Sequence, residues 1–298
     1  MGAFVLYKEM KVLFERLAWE IETRGLEVYG IEVFEKGKIV YRRQFAPDAR
    51  YPIYSATKSF TSTAVGLAVQ EGKLSVEDSL GGLLPGKYMQ GLPEEVKSAV
   101  DHLPLGRLLT MSVPGFPFRP EGEDWLRQAL TCGAGFDSEE VFSYSNVPAY
   151  LAGVAVSEAV GEHLMEYLTP RLFAPLGIER PEYADDPQGR FYGATGMKLT
   201  VDELSRLGQL YMQGGVFDGQ RLLSEDWVRA AISRQIANKE GGYGYFFWVD
   251  ADGFSISGKW GQKCLCCPAR QRMITWMGNM PERSGEMLRL VREWMGKQ

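Results

Sequence analysis

The chain has 298 residues, of which 45% are apolar and 24% charged, and its net charge is −5. That length and apolar content suffice for one large core or two intertwined ones, and they exclude a disordered or fibrous chain. Interspersed charge with a negative balance argues against nucleic acid as the main partner, and no apolar run approaches the ~20 residues of a membrane span.

Lys8 to Thr23 places Val12, Leu13, Leu17, Ala18 and Ile21 on one side, which predicts an amphipathic helix. Ala3 to Tyr7 is a short apolar patch followed by Lys8, Glu9 and Lys11. It is not a secretion signal, and the expectation is a cytoplasmic protein. Leu26–Phe34 and Lys38–Phe45 read as a β-hairpin turning at Glu35-Lys36-Gly37. Arg50 to Tyr54 is extended in character, because Pro52 pushes the residue before it out of the helical region. Phe60, Ala64, Leu67 and Ala68 then fall at helical spacing, up to a stop at Gly72.

Helical segments are predicted over Trp125–Leu130, Val147–Val160, Glu162–Phe173, Val201–Met212 and Ser224–Ile236, with Ser224 as an N-cap. Strands return at Tyr243–Val249, Phe254–Ser257, Lys263–Cys267 and Met273–Met277, and Pro281 opens a last helix to about Met295. Strands at both ends with helices between them predict an α+β architecture. Residues 1–72 and 240–298 would form an α/β domain around a five-stranded antiparallel sheet flanked by the terminal helices. Residues 73–239 would form a mostly helical insertion, with a ligand cleft between the two.

Three short motifs carry chemistry. Ser55-Ala56-Thr57-Lys58 sits at the start of a buried helix, with Lys58 one turn below Ser55 on the same face. A serine hydroxyl needs a partner to take its proton, and a desolvated lysine can do so or can lower the pKa of a nearby phenol. Tyr144-Ser145-Asn146 precedes the Val147 helix. There a tyrosine can shuttle a proton and an asparagine can bond both a lysine and a substrate amide, although Ser145 or Asn146 could equally serve as a helix cap. Lys259-Trp260-Gly261-Gln262 lies between two strands, where a lysine can meet an anion and a glycine admits substrate to the backbone.

Other residues point away from alternative chemistries. His102 and His163 are the only histidines and neither has a motif around it, so a Ser-His-Asp triad is disfavoured. Cys264, Cys266 and Cys267 lack zinc spacing, and Cys264 and Cys266 read as buried on one strand face. Gly193-Ala194-Thr195-Gly196 is not a dinucleotide fingerprint, and Asp185-Asp186 has no convergent third ligand. The expectation is therefore a protein without metal or cofactor.

In their order Ser-x-x-Lys, Tyr-x-Asn and Lys-x-Gly, the three motifs make the chain resemble the serine β-lactamase and penicillin-binding-protein superfamily. The tyrosine form of the middle motif is similar to the class C β-lactamase, D-aminopeptidase, esterase and 6-aminohexanoate-dimer hydrolase branch. Arg107–Met111, Tyr167–Gly177, Leu199–Leu204 and Tyr243–Trp248 resemble that family's framework. The resemblance implies a serine hydrolase in which Ser55 is acylated and Lys58 activates it. Tyr144 would act as general base and then acid, and Asn146 would orient Lys58 and the substrate amide. Lys259 would hold the electrostatics of the site and a substrate carboxylate, with the backbone N–H groups of Ser55 and Gln262 as oxyanion hole.

Trp260 stands where lactamases usually carry threonine, and Arg107 where histidine is frequent. Both departures favour a cytoplasmic esterase, amidase or peptidase over an antibiotic-defence enzyme. The implied partner is a small ester or amide, including a β-lactam or a D-amino-acid peptide. The competing expectation is a catalytically silent ligand-binding or sensor protein on the same fold.

Overall fold

Lys36 and Gly37 both have positive φ, +50° and +84°, as a two-residue hairpin turn matched to strand twist requires. That turn joins β1 (Val28–Glu35) to β2 (Lys38–Gln44). The computed structural model describes residues 2–296, with side chains from residue 12 onward. Helix α1 (Gly2–Thr23) starts ahead of the Lys8 predicted from the sequence, and the side chains of the Ala3–Tyr7 patch lie outside the described residues.

Further along the chain come helices α2 (Thr57–Gln70), α3 (Val147–Val160) and α4 (Val201–Met212). Strands β3 (Ile236–Asn238), β4 (Gly241–Tyr243), β5 (Trp248–Val249), β6 (Phe254–Gly258), β7 (Gln262–Cys267) and β8 (Arg272–Gly278) follow, then helix α5 (Ser284–Met295). The sheet is antiparallel in the order β2-β1-β8-β7-β6-β5-β4-β3, so strands from both ends of the chain interleave. It has eight strands among the described residues, not the five expected. The five long strands are present, and three short ones extend the β6 edge. The predicted Tyr243–Val249 strand is broken at 244–247, where Phe246 takes a φ of +60° and donates its amide to the Leu109 carbonyl.

Side chains alternate across the sheet, so adjacent residues of β7 serve different cores. Leu265 and Cys267 face α1 and α5, packing with Phe14, Leu17, Ile274, Leu290 and Trp294. Cys264 and Cys266 face the helical side, with Leu204 and Leu207 of α4. A side chain at Gly208 would collide with Met273, so its absence lets α4 lie close to the sheet. The cysteines are free, and burial pushes the Cys264 thiol up to about 12.

Helix α2 is buried on all sides from Thr57 to Ala68. Among its small hydroxyls, Ser59 donates to the Phe246 carbonyl at 3.0 Å and Thr61 to the Gly193 carbonyl at 2.7 Å. The predicted Glu162–Phe173 helix is a shorter α segment, Leu164–Leu168, running into a wider turn that contains Pro170. The predicted Ser224–Ile236 helix ends at Ala231, because Ile236 joins the sheet, but Ser224 does cap it by accepting from the Trp227 amide. No helix among the described residues is long and apolar enough to cross a membrane.

Candidate active site

Tyr51–Pro52 pairs with Lys198–Leu199, and the Ile53 amide donates to the Met197 carbonyl at 3.0 Å. This pins the segment leading into the site. Tyr54 then turns with φ +48°, a conformation costly for a residue with a side chain, and Tyr54–Ala56 form a single 3₁₀ turn before α2. Ser55 is left half-exposed at the floor of a cleft, while Lys58, one turn deeper, is 1% exposed.

Each of the three donors of the Lys58 ammonium has an acceptor. Nζ lies 3.1 Å from Ser55 Oγ, 2.6 Å from Asn146 Oδ1 and 2.9 Å from the Ala194 carbonyl. Burial still pushes its pKa down to about 7. A neutral amine in the same place keeps two N–H bonds, to Asn146 and Ala194, and turns its lone pair to the Ser55 hydroxyl. Asn146 makes no helix-capping bond. Its amide donates instead to Tyr192 Oη at 3.2 Å, and Ser145 accepts from the Val147 amide. The middle motif therefore divides its work, with serine bonding the first amide of α3 and asparagine facing the lysine.

Tyr144 sits above this pair, its ring centroid 5.1 Å from Lys58 Nζ and 5.6 Å from the stacked ring of Trp248. Burial pushes its phenol up to about 12, against a hydrogen bond with Ser55 that pulls the other way. The phenol therefore keeps its proton at neutral pH, and the lysine is the group closer to losing one.

The third motif forms the tip of the β6–β7 hairpin. Gly258 presses against the Ile53 carbonyl so closely that a Cβ would collide, which binds the hairpin to the Ser55 turn. Trp260 has φ +66° and meets the Tyr54 ring edge-on at 5.0 Å. Lys259 is exposed, and its ammonium lies over the rings of Trp260 and Tyr54 at 4.1 and 4.7 Å, bonded to neither Ser55 nor Lys58. A side chain at Gly261, φ +101°, would collide with Met280. Gln262 is buried; its side chain donates to the Gly278 and Lys259 carbonyls and accepts from the Gly278 amide, and its backbone pairs with Gly258 across the hairpin.

Ser55, Tyr144 and residues 257–262 line one cavity of about 370 Å³, a size that suits a small ligand. The structure thus brings together all eight residues singled out from the sequence, with Lys58 and Asn146 just beneath the cavity. Arg107 is remote from this chemistry: it donates to the Phe136 and Ser112 carbonyls, both at 2.8 Å. Sequence reasoning missed Tyr192, Trp248 and the Ala194 carbonyl. The glycines around Ala194 are the trace of the last: a side chain at Gly193 would stand 2.8 Å from the Ala149 carbonyl, so glycine lets that loop reach Lys58.

A 6-aminohexanoate-dimer hydrolase of Paenarthrobacter ureafaciens is 27% identical over 221 residues, 67% of this chain and 56% of that protein. The chain thus spans little more than half the length of this curated relative. A β-lactamase/D-alanine carboxypeptidase from Pseudomonas syringae superposes with a TM-score of 0.74 at 15% identity, covering 97% of this chain and 100% of that one. A class C β-lactamase gives 0.74 at 14% identity, covering 97% and 96%. These two establish the shared fold. The family model for β-lactamase matches residues 20–292, and the chain belongs to the β-lactamase family.

Proposed function

We propose that the protein hydrolyses an ester or amide through an acyl-enzyme on Ser55. One observation carries this reading: Lys58 Nζ is 3.1 Å from Ser55 Oγ, its other two contacts are acceptors, and burial holds its pKa at about 7. Ser55 Oγ attacks the substrate carbonyl carbon while its proton passes to neutral Lys58. The carbonyl oxygen becomes an oxyanion, bonded by the backbone N–H groups of Ser55 and Gln262. Tyr144 gives its phenolic proton to the leaving oxygen or nitrogen as that bond breaks, and regains one from the Lys58 ammonium. Water then attacks the Ser55 ester by the reverse sequence, releasing the acid. Asn146 holds Lys58 in place, and Lys259 supplies positive potential at the mouth.

This assignment makes lysine the base and tyrosine the acid, because the two pKa shifts run in opposite directions. The curated relative, a 6-aminohexanoate-dimer hydrolase, favours a linear amide, while the structural neighbours keep β-lactams and D-amino-acid peptides among the candidates. Intact-mass analysis after exposure to a fluorophosphonate tests the mechanism. A single adduct on the wild type, absent from Ser55→Ala, is expected, together with loss of p-nitrophenyl ester turnover in the variant. No adduct and no turnover would favour a silent ligand-binding protein, and full turnover by Ser55→Ala would sink the acyl-enzyme.

A further inference from the structure

Two of the three acceptors around Lys58 converge on one residue that does not line the cavity. Tyr192 is 6% exposed, and its hydroxyl accepts from the Asn146 amide at 3.2 Å, at the far end of the group whose oxygen lies 2.6 Å from Lys58. Its main chain supports the other acceptor. The Tyr192 carbonyl accepts from the Ala194 amide at 2.8 Å across Gly193, whose φ is +70°, and the Ala194 carbonyl meets Lys58 Nζ at 2.9 Å.

Packing fixes the Tyr192 ring. It meets Trp125 edge-on at 4.9 Å and Tyr150 at 6.4 Å, and those two meet each other at 6.0 Å. Tyr150 lies one turn along α3 from Asn146, and its hydroxyl donates to Asp186 at 2.6 Å. The loop that carries Tyr192 is thereby tied to the helix that carries Asn146. Few ionisable groups face this assembly: the Tyr144 ring lies over Lys58, Arg119 acts on Tyr192, and the Asp186–Arg190 ion pair, at 2.9 Å, lies beyond Tyr150. Burial pushes the Tyr192 phenol above its ordinary range, against the Asn146 bond and the Arg119 charge, so it stays neutral. No carboxylate bonds Lys58 among the described residues; its ammonium is met by neutral oxygens. The placement of those oxygens therefore decides how readily the lysine gives up its proton.

We propose that Tyr192 is a positioning residue for the hydrolysis, holding Asn146 by its amide nitrogen so that the amide oxygen stays on Lys58. This rests on the reading of Ser55 and Lys58 given above and adds a residue to it. Asn146 is 5% exposed, so without the Tyr192 hydroxyl its N–H becomes a buried donor lacking a partner. The side chain then turns to find one and carries its oxygen away from the lysine. A neutral Lys58 adds a second reason. Its lone pair can accept from a turned Asn146 N–H, and a lone pair so engaged is lost to the Ser55 proton. Bonded to Tyr192, that N–H is kept from it.

Tyr192→Phe keeps the ring packing and removes the hydroxyl. It should lower kcat/KM on a p-nitrophenyl ester at the pH plateau by about three- to tenfold. It should also move the acid limb to lower pH by about 0.5, because an ammonium with a looser acceptor gives up its proton more readily. In an Asn146→Leu background the same substitution should change kcat/KM by less than about twofold, since its effect passes through the amide already removed. Tyr150→Phe strips a hydroxyl from the neighbouring ring, and should lower the melting temperature without moving the limb. An unmoved limb in Tyr192→Phe, losses that multiply in the double variant, or the same displacement in Tyr150→Phe would each overturn the proposal. Lys58 can also be titrated without turnover, from the lysine Cε chemical shifts of isotope-labelled protein, with Lys58→Met identifying the signal. A Lys58 pKa lowered by Tyr192→Phe upholds the positioning role even if Ser55 proves not to be the nucleophile, and a pKa indifferent to that substitution refutes it.

Discussion

Lys58 in the cleft and Glu32 beneath α4 are two buried ionisable groups that burial brings to the same place on the pH scale. Lys58 is pushed down to about 7 and Glu32 up to about 7, with exposures of 1% and 2%. Their surroundings differ. Every Lys58 donor has an acceptor, and one of those acceptors is a hydroxyl open to a cavity. Glu32 accepts from Arg42 Nε at 2.6 Å through one oxygen, while the other has no partner among the described residues. Arg42 is shared with Asp202, which in turn binds Arg206. Desolvation alone makes either group titrate near neutrality. What separates a site from a buried charge is a place for the proton to go and a substrate to receive the consequence.

The sharpest way to break that contrast is to remove the lysine. Lys58→Met should cut kcat by about 10⁴-fold, the upper end for losing a general base, while the fluorophosphonate adduct on Ser55 forms far more slowly. Tyr144→Phe comes next, at about 10²–10³-fold in kcat, with the larger loss on amides, whose leaving group needs the proton more. In both cases steady-state kinetics on an ester and an amide of the same acyl group give the answer.

Asn146→Leu should lower kcat/KM about tenfold and also move its pH dependence. Wild-type kcat/KM should rise with pH through the Lys58 pKa near 7, since the neutral amine is the active form, and stay level until Tyr144 ionises near 12. Removing an acceptor from the ammonium disfavours the charged form, so the acid limb should shift to lower pH. An unmoved limb would show that it does not report Lys58.

Glu32→Gln should change activity by less than about twofold, yet alter the pH dependence of stability. A carboxyl whose pKa is raised on folding binds more protons folded than unfolded between about 4.5 and 7. Its contribution to stability therefore falls as pH rises through that window. The wild type should lose melting temperature relative to Glu32→Gln between pH 4.5 and 7, as read by calorimetry, with no further divergence above. A parallel pair of curves would mean that Glu32 ionises normally.

Much of this was legible in the sequence where the signal is local. The α3 and α4 segments follow from periodicity and caps, the latter with a full capping box between Thr200 and Glu203. The hairpin turn at Lys36-Gly37 follows from glycine. Ser55 and Lys58 meet because three residues make a helical turn. What could not be read depended on distant partners. The predicted strand over Tyr243–Val249 breaks because the backbone at Phe246 is claimed by Leu109 and Ser59. The Ala194 carbonyl acts through main chain, which no side-chain pattern announces. The base and acid roles proposed for Lys58 and Tyr144 rest on relative burial, and composition does not reveal it.

The interleaved strand order has a consequence for how the chain matures. β1 finds its second neighbour only in β8, and the buried Glu35–Arg272 ion pair at 2.8 Å joins residues 237 positions apart. During synthesis the first hairpin must wait, with one edge unpaired, until nearly the whole chain has left the ribosome. Contacts so remote in sequence fold slowly, and an unpaired edge invites association with other chains. The Ser55 turn, pressed against the β6–β7 hairpin, is finished at that same late moment. A nascent chain thus carries Ser55 for most of its synthesis before acquiring the cleft that encloses it.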